Sequence, residues 1–354
     1  MLTTTRRGIA AVAVLAATVT GLSACGSSSP SGDGTPKGVV VSAIENLGDE
    51  NALTFTLKLD TSADDVKRLA ASGPDPSTLT DAQAKAIADG SVVLAVKTTA
   101  TSFKAAQSDP NASKKSSVGF TLNAGDKPKL IEVRAINGDL YARVDFQKLA
   151  SYGDSDLSEL QSKAQKYSST LPFLKPALAG GWLKIPADDL QQLLKASGGA
   201  RPAPSIDPSR AAGIQQAILG VLDKDVTATK ADDGGDLGDH YVLSGSSRVV
   251  ATDLVNALKP QFAGLPGFSE AFGDANPADV PDKNVKVDVY LKGGKLNAIK
   301  LDLAQFASPA DAPAFNGKPF YLELDIDDSA SISTPSDATD VNLGALLGGL
   351  IKAS

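Results

Sequence analysis

The chain has 354 residues, with 34 basic and 41 acidic side chains, a formal net charge of −7, and one Cys, one His and one Trp. An acidic chain is a poor candidate for binding nucleic acid, because attraction to phosphate supplies most of that affinity. A lone cysteine excludes an internal disulfide, and a lone histidine excludes most metal-binding and general-base arrangements.

Residues 1–24 have the features of a secretory signal. Arg6 and Arg7 precede an apolar run, 9–22, that is too short to span a bilayer. The run ends in Leu-Ser-Ala before Cys25, which resembles the lipobox of bacterial lipoproteins. The resemblance implies that Cys25 receives a lipid and anchors the chain on the extracytoplasmic side of the cell membrane. The alternative is a plain secretory peptide cleaved nearby, with Cys25 incidental.

The rest of the chain divides by composition into three parts. Residues 25–37 form a tether rich in Ser, Gly and Pro that cannot bury a core. Residues 38–342 are predicted to form one domain, and 343–354 an apolar C-terminal tail. Apolar residues at helical spacing predict helices over 40–48, 66–70, 80–90, 156–169, 187–195, 214–222 and 249–258. Alternating residues predict strands over 55–59, 91–99, 118–122, 131–135, 140–145, 182–185, 226–230, 240–244, 285–291, 296–303, 320–327 and 332–334.

The connections between these strands indicate the fold class. Asn137-Gly138 and Gly293-Gly294 are hairpin turns, because both positions favour positive φ. Hairpins imply an antiparallel sheet, and alternation gives it one dry face. The helices must bury their apolar stripes against that face, which predicts an α+β domain. A sheet of about a dozen strands accumulates twist and is expected to curl.

Motifs for known chemistry are missing from the sequence. It contains no nucleophile elbow, no phosphate-binding loop and no dinucleotide fingerprint. His240 lies beside Tyr241 in a predicted strand, where a structural role is favoured over a catalytic one. The acidic segment 232–236 lacks the carboxylate spacing of a calcium loop. We therefore expect no enzyme, no catalytic residue, no metal and no cofactor. A hydrolase that uses paired carboxylates stays as an alternative. The low number of aromatic residues, which would stack against sugars, disfavours it.

The order of features resembles the LppX/LprG-type lipoproteins of actinobacteria, which belong with the LolA-like lipid and lipoprotein carriers. The resemblance covers about residues 38–342 and rests on the lipobox, the tether, a starting helix and the segments 137–145, 181–185 and 332–335. It implies a curved, incomplete β-barrel with helices packed on its concave face and an apolar cavity for acyl chains. It also implies a lipid ligand and, as a further candidate partner, a membrane transporter. This chain departs from the pattern by a helical insertion between Asp60 and Ser91.

Two functions are expected from this layout. The first is a membrane-anchored lipoprotein that binds or carries a lipid or another apolar ligand. The second is a cell-envelope interaction protein of the same fold, with a filled core and no ligand. For the first function, strand alternation predicts which residues point to the concave side and line the cavity: Phe55, Leu57, Phe120, Leu122, Val133, Val144, Val287, Val289, Leu324 and Ile326.

Overall fold

The computed structural model describes residues 34–72, 77–109, 115–125, 127–152, 157–167, 171–189, 208–262, 280–307 and 312–341. The predicted signal segment, Cys25, most of the tether and the C-terminal tail lie outside these ranges. The assignment of 38–342 to a single domain stays a prediction.

Within the described ranges, twelve strands form one mixed, mostly antiparallel sheet in the order β12-β6-β5-β4-β3-β2-β1-β11-β10-β9-β8-β7. Two antiparallel meanders, β1 to β6 and β7 to β11, meet where β1 pairs with β11. The sheet is not closed, because β12 and β7 are its two edges. The predicted α+β class, with an open antiparallel sheet of about a dozen strands, is confirmed. The strands are β1 Ala52–Asp60, β2 Ser91–Lys97, β3 Ser117–Ala124, β4 Lys127–Ile136, β5 Asp139–Val144, β6 Leu183–Ile185, β7 Thr227–Ala231, β8 Asp239–Ser246, β9 Asn284–Lys292, β10 Lys295–Asp302, β11 Tyr321–Asp327 and β12 Thr339–Asp340.

The first helix begins where its sequence provides a cap. The Thr35 side chain accepts from the backbone N–H of Gly38, and Pro36 occupies the first turn, where its missing N–H costs nothing. The helix therefore includes residues 36 and 37, the last two residues of the predicted tether. The described helices are α1 Pro36–Asn46, α2 Ala63–Ser72, α3 Asp81–Ala88, α4 Phe103–Ser108, α5 Phe146–Ser151, α6 Leu157–Tyr167, α7 Leu174–Leu178, α8 Pro208–Asp225, α9 Ser247–Phe262 and α10 Ala312–Phe315.

The strand register places one set of side chains on a single face of the sheet. Phe55 lies opposite Leu94, which lies opposite Phe120, and that residue opposes Val133. In the other direction, Leu57 opposes Leu324, and the row continues through Ile299 to Val289. Directly opposed residues share a face. All ten residues that strand alternation assigned to one side therefore do lie on one side, which we call the inner face.

The main apolar core lies between the inner face and α1. Val40 and Ala43 of α1 are almost fully buried against strands β8 to β11 and β1. The same cluster contains Phe55 of β1, Leu291 of β9 and Leu296 of β10. Burial of each such side chain contributes about 1.5–3 kcal/mol. The main core therefore joins α1 to β1 and to strands β8 to β11.

The segment 328–341 crosses the opposite, outer face. Thr54 donates from Oγ1 to the carbonyl of Ser329 at 2.6 Å, and Arg134 donates from Nη1 to the carbonyl of Ser333 at 2.6 Å. The predicted strand over 332–334 is wrong. The side chain of Ile332 packs over Gly119, and the backbone at 332–334 joins no ladder. The next strand along the chain is β12, which pairs in parallel with β6.

A buried acidic side chain is held under this segment. Glu132 is 3% exposed and pairs with Arg143 and with Arg134, the latter at 3.1 Å. Both guanidinium groups lie over the ring of Trp182, at 4.5 Å for Arg134 and 5.0 Å for Arg143. The indole and the carboxylate together keep the two cations in fixed positions on the outer face.

Candidate functional site

The inner face carries an apolar cavity of about 240 Å³ beneath strands β8 to β11 and β1. Sheet residues form its floor, and α1, α8 and α9 flank it. The strands contribute Phe55, Leu243, Ser244, Gly245, Val285, Val287, Val289, Leu296, Ile299, Leu324 and Ile326, and the helices and the residue after α8 contribute Ile44, Leu47, Ile218, Leu222, Val226 and Val250.

The helices reach the cavity because their apolar residues recur at intervals of three and four. Ile44 lies on the stripe of α1 that continues into the core, and Leu47 follows directly after the last residue of α1. Ile218 and Leu222 are four residues apart on α8, and Val250 is in the first turn of α9. Residues at such spacing share one helix face. The stripes were visible in the sequence, but which strands they would cover was not.

Five of the ten predicted cavity residues line this cavity: Phe55, Val287, Val289, Leu324 and Ile326. Leu57 is half-buried and packs against the same core. Phe120, Leu122, Val133 and Val144 belong to β3, β4 and β5, in the other half of the sheet, and are not among the lining residues. Phe120 is 37% exposed. Whether any of the ten contacts a ligand stays a prediction.

Polar groups are scarce in the lining. Among the described residues that line the cavity, Ser244 has the only polar side chain. That side chain lies on the outer face, because Ser244 alternates with Leu243 and Gly245, and its hydroxyl is 3.0 Å from that of Thr227 on the neighbouring strand. The side chains that face the cavity are therefore apolar.

Charged side chains lie beside the cavity where α8 meets α9. Lys224 pairs with Asp253 of α9, and its Nζ is 3.9 Å from Oδ1 of Asp225. Burial, and then the hydrogen bond with Asp253, raise the pKa of Asp225. The hydrogen bond from Lys224 lowers the pKa of Asp253. This group of charges links the two helices that flank the cavity.

His240 belongs to a separate polar cluster on the outer face. Its Nδ1 is 2.6 Å from Asp233 and its Nε2 is 2.9 Å from Asp288. Burial acts to lower the pKa of His240, but the hydrogen bonds to the two carboxylates outweigh it, and the pKa is raised. The carboxylates lie on opposite sides of the ring and cannot share a metal ion with it. Among the described residues, no group of three or more His, Cys, Asp or Glu is placed to hold a metal.

Comparison with solved structures finds similarity to a bacterial lipoprotein. The crystal structure of the Mycobacterium tuberculosis lipoprotein LppX matches with a TM-score of 0.30 and 9% sequence identity, over 85% of this chain and 98% of that chain. LppX is of the lipoprotein type that the sequence resembles. No protein-family model matches the sequence, and no curated protein matches it.

Within the described ranges, no helix combines the length and the apolar character that crossing a bilayer requires.

Proposed function

We propose that this protein is a membrane-anchored lipoprotein that binds or carries one apolar ligand, such as the acyl part of a lipid, in the cavity on the inner face. The observation that supports the proposal is the cavity itself, about 240 Å³ in volume and lined by aliphatic and aromatic side chains. Most ligand sites are concave, apolar and few in number. The anchor is the lipid expected on Cys25.

The energetics of such a cavity favour a hydrocarbon chain. Each methylene moved out of water contributes about 0.8 kcal/mol. A polar headgroup placed inside would lose its hydration and meet few partners, which costs several kcal/mol. The ligand would therefore bind by its apolar part, with any polar group left outside the cavity.

The second candidate is an envelope interaction protein without a ligand. The observation that favours it lies on the inner face of β3, where Val118 is 40% exposed and Phe120 is 37% exposed. Exposed apolar side chains that adjoin one another are a feature of partner-binding surfaces. In this second case the cavity would be a packing defect that takes up no lipid.

Mass spectrometry of bound lipid tests the proposal. The chain is expressed in a bacterial host that lipidates it, purified in mild detergent and extracted with organic solvent. We expect a non-covalent lipid at a stoichiometry near one per chain. The purified chain should also bind a fluorescent fatty acid, and the host lipid should displace it.

Two matched variants give the control. Val118→Asp places a charge on the same face at an exposed position outside the cavity lining, and it should bind as wild type does. Val287→Asp places the same charge in the apolar lining, at a partly buried position, and should lose the lipid. If wild type yields no lipid and binds no fatty acid, the carrier proposal is wrong and the interaction protein is favoured.

A further inference from the structure

The end of α8 and the first turn of α9 meet at one residue of the sheet. Gly245 lies near the end of β8, and a Cβ atom there would be 2.6 Å from the Asp225 carbonyl oxygen and 3.3 Å from Cγ2 of Val250. A residue with a side chain would therefore push against both helices at this position. The last residue of α8 and the start of α9 are thus packed together against β8.

A buried carboxyl group lies at this junction. The side chain of Asp225 is 6% exposed, and its Oδ2 atom is buried and accepts no hydrogen bond from a described residue. The nearest cation is Lys224, whose Nζ is 3.9 Å from Oδ1, which is longer than a hydrogen bond. A buried oxygen without a donor is costly when the group is ionised. The surroundings of Asp225 therefore favour its protonated form.

Asp253 of α9 is the partner of this carboxyl group. The side chains of Asp225 and Asp253 are hydrogen-bonded to each other, which requires that one of them carry a proton. Lys224 donates from Nζ to Oδ2 of Asp253, and this hydrogen bond is the main cause of the lowered pKa of Asp253. Burial is the main cause of the raised pKa of Asp225. The proton therefore resides on Asp225, which donates it to the ionised Asp253.

Other charged residues of the adjoining elements pair with one another. Lys37 of α1 donates from Nζ to the carbonyl of Asp223 at 2.7 Å. Arg248, in the first turn of α9, lies 4.0 Å from the carboxylate of Asp282. Residues 244–246 of β8, which pack beside the end of α8, carry no charge. Among the described residues, the charges that act on the buried carboxyl group are therefore those of its α9 partner and of the neighbouring lysine.

The carboxyl pair adjoins the cavity on both helices. Leu222 precedes Asp225 by three residues on α8, and Val250 precedes Asp253 by three residues on α9. Leu222 and Val250 both line the cavity. Residues three apart in a helix lie on the same side of it. A change in how the two helices meet at the carboxyl pair would therefore move part of the cavity lining.

We infer that one proton shared between Asp225 and Asp253 joins α9 to the end of α8 and slows the exchange of an apolar ligand with the adjoining cavity. The inference rests on the proposed function and adds its regulation by pH. As the pH rises, the proton passes to the solvent and both carboxylates are charged. Their repulsion loosens the contact between the helices, and the ligand exchanges faster.

The directions of the two pKa shifts give the sign of this effect. The pKa of Asp253 is lowered and that of Asp225 is raised, so the pair holds one proton between these two values. The ordinary pKa of an aspartate, about 3.9, lies inside this window. The joined state is therefore present at acid pH and is lost as the pH rises through the raised pKa of Asp225.

Ligand exchange is measured with a pyrene-labelled long-chain alcohol, a probe without a titratable group. The full chain is loaded with this probe and mixed in a stopped-flow instrument with excess phosphatidylcholine vesicles, from acid to mildly alkaline pH. We expect the dissociation rate of wild type to rise several-fold with pH. Asp225→Asn should stay slow throughout, because its amide donates to Asp253 at every pH. Asp223→Asn is the matched control and should follow wild type, since the side chain of Asp223 is 86% exposed.

Hydrogen exchange followed by mass spectrometry tests the helix contact without a ligand. The ratio of exchange rates in wild type and Asp225→Asn at one pH removes the intrinsic pH dependence of exchange and the titration of His240, which both proteins share. We expect a ratio near one at acid pH. At alkaline pH, wild type should exchange several-fold faster at the end of α8 and the start of α9.

Equal exchange in the two proteins at every pH would overturn the inference. A dissociation rate of bound probe that does not change with pH would overturn it as well. Failure of wild type to bind the probe at any pH would refute the proposed function and the control of ligand exchange. In that case the exchange ratio still decides, by itself, whether the shared proton joins the two helices.

Discussion

The rings of His240 and Tyr290 are stacked across strands β8 and β9, with centroids 4.6 Å apart and planes 11° from parallel. The imidazole also lies between the carboxylates of Asp233 and Asp288 and is 8% exposed. Donation from both ring nitrogens requires the protonated form. These two contacts favour the protonated form of the imidazole, and the pKa of His240 is raised.

We predict that this cluster makes stability depend on pH. The pKa of His240 is raised in the folded state. Its contribution is fully present below the unfolded pKa, near 6.5, and is lost as the pH rises through the folded pKa. His240→Gln should therefore destabilise the protein more at pH 5.5 than at pH 8.5, as measured by urea unfolding.

Two side chains next to His240 matter for this measurement, Tyr290 and Asp233. Burial, and next the charge of Asp288, raise the pKa of Tyr290 to about 12, so that ring stays neutral over the range. Asp233 has a lowered pKa, with the hydrogen bond to His240 as the main cause. Asp233→Asn should reduce the pH dependence. An equal loss of stability at both pH values in His240→Gln would contradict the prediction.

We predict that Glu132→Gln destabilises the protein by about 3 kcal/mol, because it leaves two guanidinium groups without their buried counter-charge. Thermal and urea unfolding measure the change. Asp81→Asn is the comparison, since Asp81 pairs with Lys67 on the surface with its side chain 94% exposed. That change should cost less than about 1 kcal/mol. Similar losses in the two variants would show that Glu132 is not held as a buried ion.

Val287→Trp is predicted to fill the cavity. The indole should occupy space that a ligand would take, so that fatty-acid affinity falls at least about tenfold, or 1.4 kcal/mol, while the melting temperature is held. Val118→Trp is the matched control, because it adds the same group to the same face outside the cavity. A loss of about 1–3 kcal/mol in Val287→Trp, with no binding by wild type, would indicate a filled core.

Cys25→Ser is predicted to release the protein from the membrane. Two acyl chains give a stable anchor, whereas the polypeptide without them has no comparable attachment. Fractionation of cells that express each form, followed by immunoblotting of membrane and extracellular fractions, measures the change. A variant that stays as firmly membrane-bound as wild type would disprove the anchor.

Much of the sheet could be predicted because strand alternation is a local property of the chain. Leu57 and Val289 are far apart in sequence, yet each was assigned to the inner face and both lie on it. The row that connects them depends only on period-two side-chain geometry and hairpin order. The fold class follows from the same local signals.

The limits of the cavity could not be predicted in the same way. Val287 lines it and Val144 does not, although both are alternating residues on one face. What separates them is the position of α8 and α9, which is set by long-range packing. The carboxylate partners of His240 were missed for a similar reason, since Asp288 is brought to the ring only by the register of β8 and β9.

The pairing of β1 with β11 affects when the chain can fold. Thr54 opposes Asp327, so the centre of the sheet joins residues separated by most of the sequence. Contacts of such long range slow folding, because a large loop must close before they form. A chain emerging from the ribosome cannot complete this sheet until its last described strands have been synthesised. The topology itself thus delays completion of the sheet until late in synthesis.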